Sequence, residues 1–330
     1  VIRRSRLLHG ALLVAGVAVF AVLVRRIGAA QLIADLRGFG WAILGVVALE
    51  LLIDACNTVA WRLTLPPDAP IGFNRLFWVR QAGVAINQVT PTATVGGEVA
   101  KTVLLRPFLR TVTTAASLVA ARMSYALGQA VLVLLGLSAV LARTRDTPDL
   151  GIAIVGALIA TVAGVLTFVW LQGRGFFAAA TRAIGRLGVA SGLLDRLHAG
   201  GAALDAQLSA LYRERPGAFA ASVGWHVGGQ LVSLLQLWFI LAALGAPTPI
   251  ATCLAIEAFA LILDSATFFV PGRVGVQEAG RVLVFTTFGL SATTGLAVAV
   301  IVRLNQLAVT AIGLTSYAAL SARSPATHGA

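Results

Sequence analysis

An all-α, polytopic integral membrane protein is the fold class this chain predicts, with about six full spans and two re-entrant broken-helix hairpins arranged as an inverted repeat. Three observations predict it. Of 330 residues, 58% are hydrophobic and only 12% charged, and mean hydropathy is +0.90. A soluble domain carries roughly 25% charged residues, so the bilayer is the main solvent here. Apolar runs of about 20 residues, the length that crosses hydrocarbon as a helix, recur along the chain. Finally, a Pro-x6-Glu-x2-cation pattern occurs once in each half, as Pro91…Glu98…Lys101 and Pro271…Glu278…Arg281.

The first run, residues 7–24, lies between Arg3, Arg4, Arg6 and Arg25, Arg26. It is longer than the apolar core of a secretory signal and ends in no small-residue cleavage site, so it reads as a retained first helix. Further full spans are expected at 41–64, 111–142, 150–171, 217–243 and 290–318. Regions 72–108 and 250–289 differ, each holding an apolar stretch, a Pro/Gly break and a shorter apolar stretch. The breaks and their intramembrane Glu residues favour a hairpin that enters and leaves on one side over two ordinary spans. Residues 172–216 form the long polar connection, and Arg174-Gly-Phe-Phe177 and Leu193-Leu-Asp-Arg-Leu197 suit amphipathic helices on the inner leaflet. A solvated linker is the alternative. Residues 1–320 make one membrane domain, and 321–330 read as a disordered tail.

Charge placement orients these elements. With a cytoplasmic N-terminus, fifteen arginines, Arg75 and Arg80 among them, fall on inner segments. Only Arg25, Arg26, Arg37, Arg143 and Arg145 fall outside, as the positive-inside rule requires. Three full crossings separate the hairpins, an odd number, so they enter from opposite faces as an inverted repeat does. The net charge of +12 therefore reports orientation rather than nucleic-acid binding, for no soluble basic domain is long enough to hold a duplex. Cys56 and Cys253 lie in apolar segments without a CxxC motif, and the four histidines lack metal-ligand spacing. No metal or cofactor is expected. His226, inside a span, reads as a satisfied polar residue.

The motifs carry the candidate site. A Glu and a cation three residues apart share one helix face. Charges and helix breakers at membrane depth are costly and persist where a polar site or pathway uses them. At each break a fresh helix N-terminus offers backbone N–H groups that attract anions, with Lys101 and Arg281 one turn further on. Glu98 and Glu278 would suit an ammonium group, a proton or an arginine. Arg122 and Arg303 each lie in the span after a motif, read here at unequal depths, and each needs a carboxylate or a lipid phosphate. Glu50 and Asp54 share a face of the second span, for which structural pairing is the favoured role. Glu257 and Asp264 share a face leading into the second motif, better placed for function.

At these residues the chain resembles the transmembrane region of lysylphosphatidylglycerol synthases and related flippase-like membrane proteins, most of all hopanoid-biosynthesis-associated members. The matching positions are Asn87, Pro91, Gly97 and Glu98; Ser117 and Arg122; Pro271, Gly272, Gly275 and Glu278; then Arg303. The resemblance implies a bacterial inner-membrane protein that moves lipids or their modified head groups between leaflets. Lys101 as the first motif's cation, Arg273 in the second motif, and the lack of acids flanking Arg122 depart from the family pattern and bear on head-group choice. The aminoacyl-transferase domain that follows this region in the synthases is not in the sequence, so lysyl-lipid synthesis is not expected.

The function expected is translocation of a phospholipid, glycolipid or hopanoid-type lipid, with Asn87, Pro91, Gly97, Glu98, Lys101, Arg122, Asp264, Pro271, Gly272, Gly275, Glu278, Arg281 and Arg303 forming the head-group or charge-pair site. Two alternatives stand beside it. One is a non-transporting partner of a lipid-synthesis or envelope enzyme. The other is an intramembrane enzyme using carboxylate acid–base groups, although no nucleophile–base pair, metal motif or cofactor loop is seen. The expected partners are membrane lipids, with a lipid-synthesis enzyme or a second copy of the chain left open.

Overall fold

The computed structural model describes residues 29–90, 95–141, 155–156, 159–164, 167, 191–266 and 276–322. The expected span at 7–24, most of that at 150–171, and the motif residues Pro91, Pro271, Gly272 and Gly275 lie outside them. The principal helices are α1 (Ala29–Phe39), α2 (Ala42–Thr64), α3 (Phe73–Val89), α4 (Val95–Leu105), α5 (Thr111–Leu141), α6 (Ser191–Glu214), α7 (Pro216–Ala243), α8 (Ile250–Ala266), α9 (Val276–Thr287) and α10 (Ala292–Ala322). No strand occurs among the described residues. Four helices there, α2, α5, α7 and α10, are long and apolar enough to cross a membrane. The chain is thus an all-α, multi-pass membrane protein.

Each half repeats one order of lengths, a long helix, two short ones and a long one. The short helices of the first half have 17 and 11 residues and those of the second 17 and 12. At about 1.5 Å per residue, 11 or 12 residues reach roughly 18 Å at most, too short for hydrocarbon about 30 Å thick. The first pair folds back on itself. Gly83 of α3 meets Gly97 of α4, so close that a Cβ on either would strike the neighbouring backbone or the Lys101 chain. In the second pair, Gly280 of α9 sits against Leu263 of α8.

The two halves are packed around α2 and α7, which run antiparallel. Gly45 faces Phe239, Asn57 faces His226, and Ser222 donates to the Ala60 carbonyl at 2.9 Å. Arg215, just before α7, donates to the Leu65 carbonyl just after α2 at 2.8 Å. The α3–α4 pair hangs from the C-terminal end of α2, and the α8–α9 pair from the C-terminal end of α7. Because α2 and α7 are antiparallel, the two hairpins attach at opposite ends of the bundle. Each final long helix then crosses to the other half. Gly136 of α5 receives Leu254 and Ala258 of α8, and Gly313 of α10 receives Gln81 and Ala85 of α3. Leaving aside α1 and α6, the helix pairings are preserved when α2, α3, α4 and α5 are exchanged with α7, α8, α9 and α10.

Apolar burial follows the same division. Trp61, Leu65, Leu76, Val79, Leu104 and Leu105 pack around the first hairpin, and Val46, Leu237, Ile240, Ile256, Phe285 and Ile301 around the second. Three details differ from the sequence reading. α1 is an unforeseen helix, ended by Gly40 at φ +44°, whose Leu36 and Phe39 join the second cluster. Arg80, counted above among orienting charges of the inner loops, lies inside α3 and binds Asp54. α10 continues through Ser321 and Ala322, the start of the expected tail.

The small-residue crossings make a direct prediction. Gly136→Ala and Gly313→Ala should each destabilise the folded protein by roughly 1–3 kcal/mol, because the new methyl meets backbone or a packed Cβ. Gly228→Ala, with open space around it, should be neutral or stabilising by up to about 1 kcal/mol. Thermal unfolding in detergent checks both.

Candidate functional site

The polar residues of the spans line up by helical spacing. Glu50, Asp54 and Asn57 share one face of α2, and His226, Gln230, Ser233 and Gln236 one face of α7. Packed antiparallel, the two faces form a polar seam. Glu50 accepts from Gln236 at 3.1 Å and from Asn305 of α10 at 3.0 Å. Asp54 takes an ion pair from Arg80 and a 2.7 Å hydrogen bond from Gln81. His226 Nδ1 donates to Asn57 Oδ1 at 2.8 Å. The pairing role favoured for Glu50 and Asp54 is the one their contacts describe. Glu257, grouped above with Asp264, accepts from Ser233 at 2.7 Å, and the Asp264 side chain is outside the described residues.

Each motif carboxylate stands in the first turn of the second helix of its hairpin, where the helix dipole favours negative charge. Of the N–H groups expected at the first break, that of Gly97 already donates to Asn87 Oδ1 at 2.6 Å, so α3 caps α4. Lys101, one turn on, donates to Glu98 at 3.0 Å. It also lies over the Trp61 ring at 5.7 Å, within cation–π range.

The second carboxylate is paired differently. Glu278, buried in α9, accepts from Arg303 of α10 at 3.0 Å, and Arg303 also donates to Gln306 at 3.2 Å. Arg281, the counterpart of Lys101, has no carboxylate within 4.0 Å among the described residues. Arg122 and Arg303 were read at unequal depths, yet each is the twelfth residue of its helix. Gly289 at φ +81° and Ser291, whose Oγ accepts from the Thr294 N–H at 3.0 Å, start α10 two residues later than expected. Arg122 is therefore the positional match of Arg303, but it makes no ion pair among the described residues.

Arg122 faces two adjoining cavities instead. The polar one, about 190 Å³, is lined by Asn57, Trp61, Arg80, Glu98, Lys101, Leu118, Ala121, Arg122, Tyr125 and His226. The apolar one, about 520 Å³, opens between α4 and α5 along Val99, Val103, Leu118 and Val119. Glu98, Leu118 and Arg122 line both. Of the expected site, Asn87, Gly97, Glu98 and Lys101 meet at the first hairpin with Arg122 beside them, while Glu278 and Arg303 meet at the second. Arg80, Tyr125 and His226 were missed. Their helical spacing was visible, but their partners lie on distant segments.

Broken helices paired across a polar seam, with an amphipathic cavity open beside one of them, define a multi-pass membrane protein built around intramembrane charge. The chain belongs to the family of the lysylphosphatidylglycerol synthase TM region, which matches residues 8–313, and this places it in membrane lipid metabolism. No curated protein and no solved structure matches it significantly.

The two kinds of ion pair differ in cost. Arg80 and Asp54 have side chains only 17% and 6% exposed, so Arg80→Gln should destabilise the protein by roughly 3–5 kcal/mol, leaving a buried carboxylate. Lys101→Gln leaves Glu98, whose side chain is 38% exposed, beside a second cation. A loss of about 1 kcal/mol or less is expected there. Unfolding in detergent, followed for both variants, measures the difference.

Proposed function

We propose that this protein is a lipid translocator of the bacterial inner membrane, with a cytoplasmic N-terminus and two hairpins that form an inverted repeat. One observation carries the reading. Glu98 is paired with the cation on its own helix while Glu278 is paired with the arginine of the following span. Each motif has both cations at matching positions, so the halves display the two alternatives available to one carboxylate. A transporter with related halves alternates access when one half takes the arrangement of the other around a midplane site.

In this reading Arg122, freed when Glu98 holds Lys101, meets the lipid head group, and the apolar cavity between α4 and α5 receives an acyl chain. When Glu98 turns to Arg122 the head group loses its counter-charge and leaves. Glu278, Arg303 and Arg281 perform the reverse exchange at the other face. When Glu98 turns to Arg122, Lys101 keeps its place over the Trp61 ring. The protein carries out no covalent chemistry, and its cargo is a phospholipid, glycolipid or hopanoid-type lipid.

Reconstitution in liposomes with leaflet-resolved head-group assays tests this. Glu98→Gln and Glu278→Gln should each slow translocation at least about tenfold, equivalent to roughly 1.4 kcal/mol on the barrier, while the protein remains inserted and folded. Wild-type rates in both folded variants would make the motifs structural. Cysteines at Thr94 and Val274 should be labelled from opposite sides of the membrane, and labelling of both from one side would contradict the inverted arrangement.

A further inference from the structure

Glu50, the ninth residue of the spanning helix α2, makes no ion pair among the described residues. Gln236 Nε2 and Asn305 Nδ2 both donate to the same oxygen, Oε2, and Oε1 accepts no hydrogen bond among the described residues. Asn305 is 2% exposed, and its Oδ1 has no hydrogen-bond partner. Each partner of the Asn305–Glu50 hydrogen bond thus has one open acceptor, and a buried open acceptor calls for a donor. The groups facing Glu50 supply no cation. Asp54, one turn along α2, holds Arg80 and Gln81 of α3, and Asp54 and Arg80 are the charges that act on Glu50. On α7, Ser233 holds Glu257 of α8, and His226 is hydrogen-bonded to Asn57. On α10, Arg303 is held by Glu278 of α9. From α5, Arg122 and Tyr125 reach the cavity at Asn57, seven residues on and about 10 Å along the helix. A carboxylate taken from water without a cation is neutralised instead.

We infer that Glu50 is a proton-binding site, and that the proton it binds and releases couples lipid movement to a pH gradient. The coupling rests on the translocator reading above, whereas the proton site does not. With a proton on Oε1, Glu50 donates to Asn305 Oδ1 while Asn305 Nδ2 donates to Oε2, the paired bonds of a carboxylic acid and a primary amide. One proton thus satisfies both open oxygens. A metal ion fits less well, because the neighbours direct N–H groups at this carboxylate and hard cations take oxygen ligands. Asn305 lies two residues from Arg303, whose partner changes in the proposed exchange, so one turn of α10 serves both. When that turn leaves Glu50, the acid loses its amide partner. The O–H electron pair stays on Oε1 and the proton passes to water.

The purified full-length protein in detergent tests the site. Infrared spectra at neutral pH should show a protonated-carboxyl C=O band that Glu50→Gln removes. Dicyclohexylcarbodiimide, which attacks protonated carboxyl groups in apolar surroundings, should leave an adduct that peptide mass spectrometry places on Glu50. Its yield should fall as the pH is raised and stay the same when sodium replaces potassium at constant pH. Glu50→Gln keeps the shape of the neutral acid, so it should unfold at the wild-type temperature or above. For the coupling, a pH gradient of about two units across liposomes should change the wild-type rate of lipid movement at least about tenfold and leave that of Glu50→Gln unchanged.

A carboxyl band untouched by Glu50→Gln, or a lower unfolding temperature for that variant, would overturn the proton site and show an ionised carboxylate held by two amides. Protection of Glu50 from the reagent by sodium at constant pH would overturn it in favour of a sodium ion. Lipid movement that ignores the gradient, in a protein that shows the proton, would overturn the coupling and leave the translocator reading standing. A protonated Glu50 in a protein that moves no lipid would sink the translocator reading and the coupling with it, and leave the proton site standing.

Discussion

A charged group surrounded by hydrocarbon must find a partner, and in this chain that requirement determines which helices touch. Among the described residues, the most buried ion pair joins Asp54 of α2 to Arg80 of α3 and fixes the first hairpin against the central helix. Glu50 on the same face reaches Gln236 of α7 and Asn305 of α10, tying the second half to the first. Apolar side chains cannot supply this specificity, because lipid tails are as good a solvent for Leu as another helix is. Small residues then permit close approach, as Gly83 and Gly97 do within a hairpin and Gly136 and Gly313 do between halves.

The same requirement explains how a carboxylate comes to have a choice. Each hairpin provides a Glu at a helix N-terminus, a cation one turn on, and an arginine twelve residues into the next long helix. Among the described residues each motif carboxylate is ion-paired with one of the two cations, Lys101 for Glu98 and Arg303 for Glu278. Among the described residues, Arg122 of the first half has no carboxylate partner and faces space beside Glu98, and in the second half Arg281 has none while Arg303 is held. The two related hairpins thus hold their carboxylates in two different pairings.

Much of this was legible in the sequence. The long spans at α2, α5, α7 and α10 follow from runs of apolar residues, and the hairpins follow from proline and glycine beside an intramembrane Glu. Duplication of the motif pointed to related halves. What was not legible depends on tertiary contact. Nothing local ties Arg80 to Asp54, twenty-six residues earlier, or His226 to Asn57 in the other half. The equal register of Arg122 and Arg303 was hidden by a helix start displaced two residues, which Gly289 and Ser291 decide. The cavity at Arg122 could not be inferred either, since it lies between α4 and α5 and is completed by α2, α3 and α7.

The exchange of partners is the central claim, and distances across each hairpin test it most directly. Spin labels at the exposed positions Val103 and Val131 report on α4 against α5, and labels at Leu283 and Leu307 on α9 against α10. Pulsed electron paramagnetic resonance of the reconstituted protein should give two distance populations for each pair. Glu98→Gln should shift the populations of both pairs, since the halves exchange arrangements together. A single distance in each pair, unchanged by Glu98→Gln and by the lipid composition of the membrane, would contradict the account and make the two pairings fixed features of one static fold.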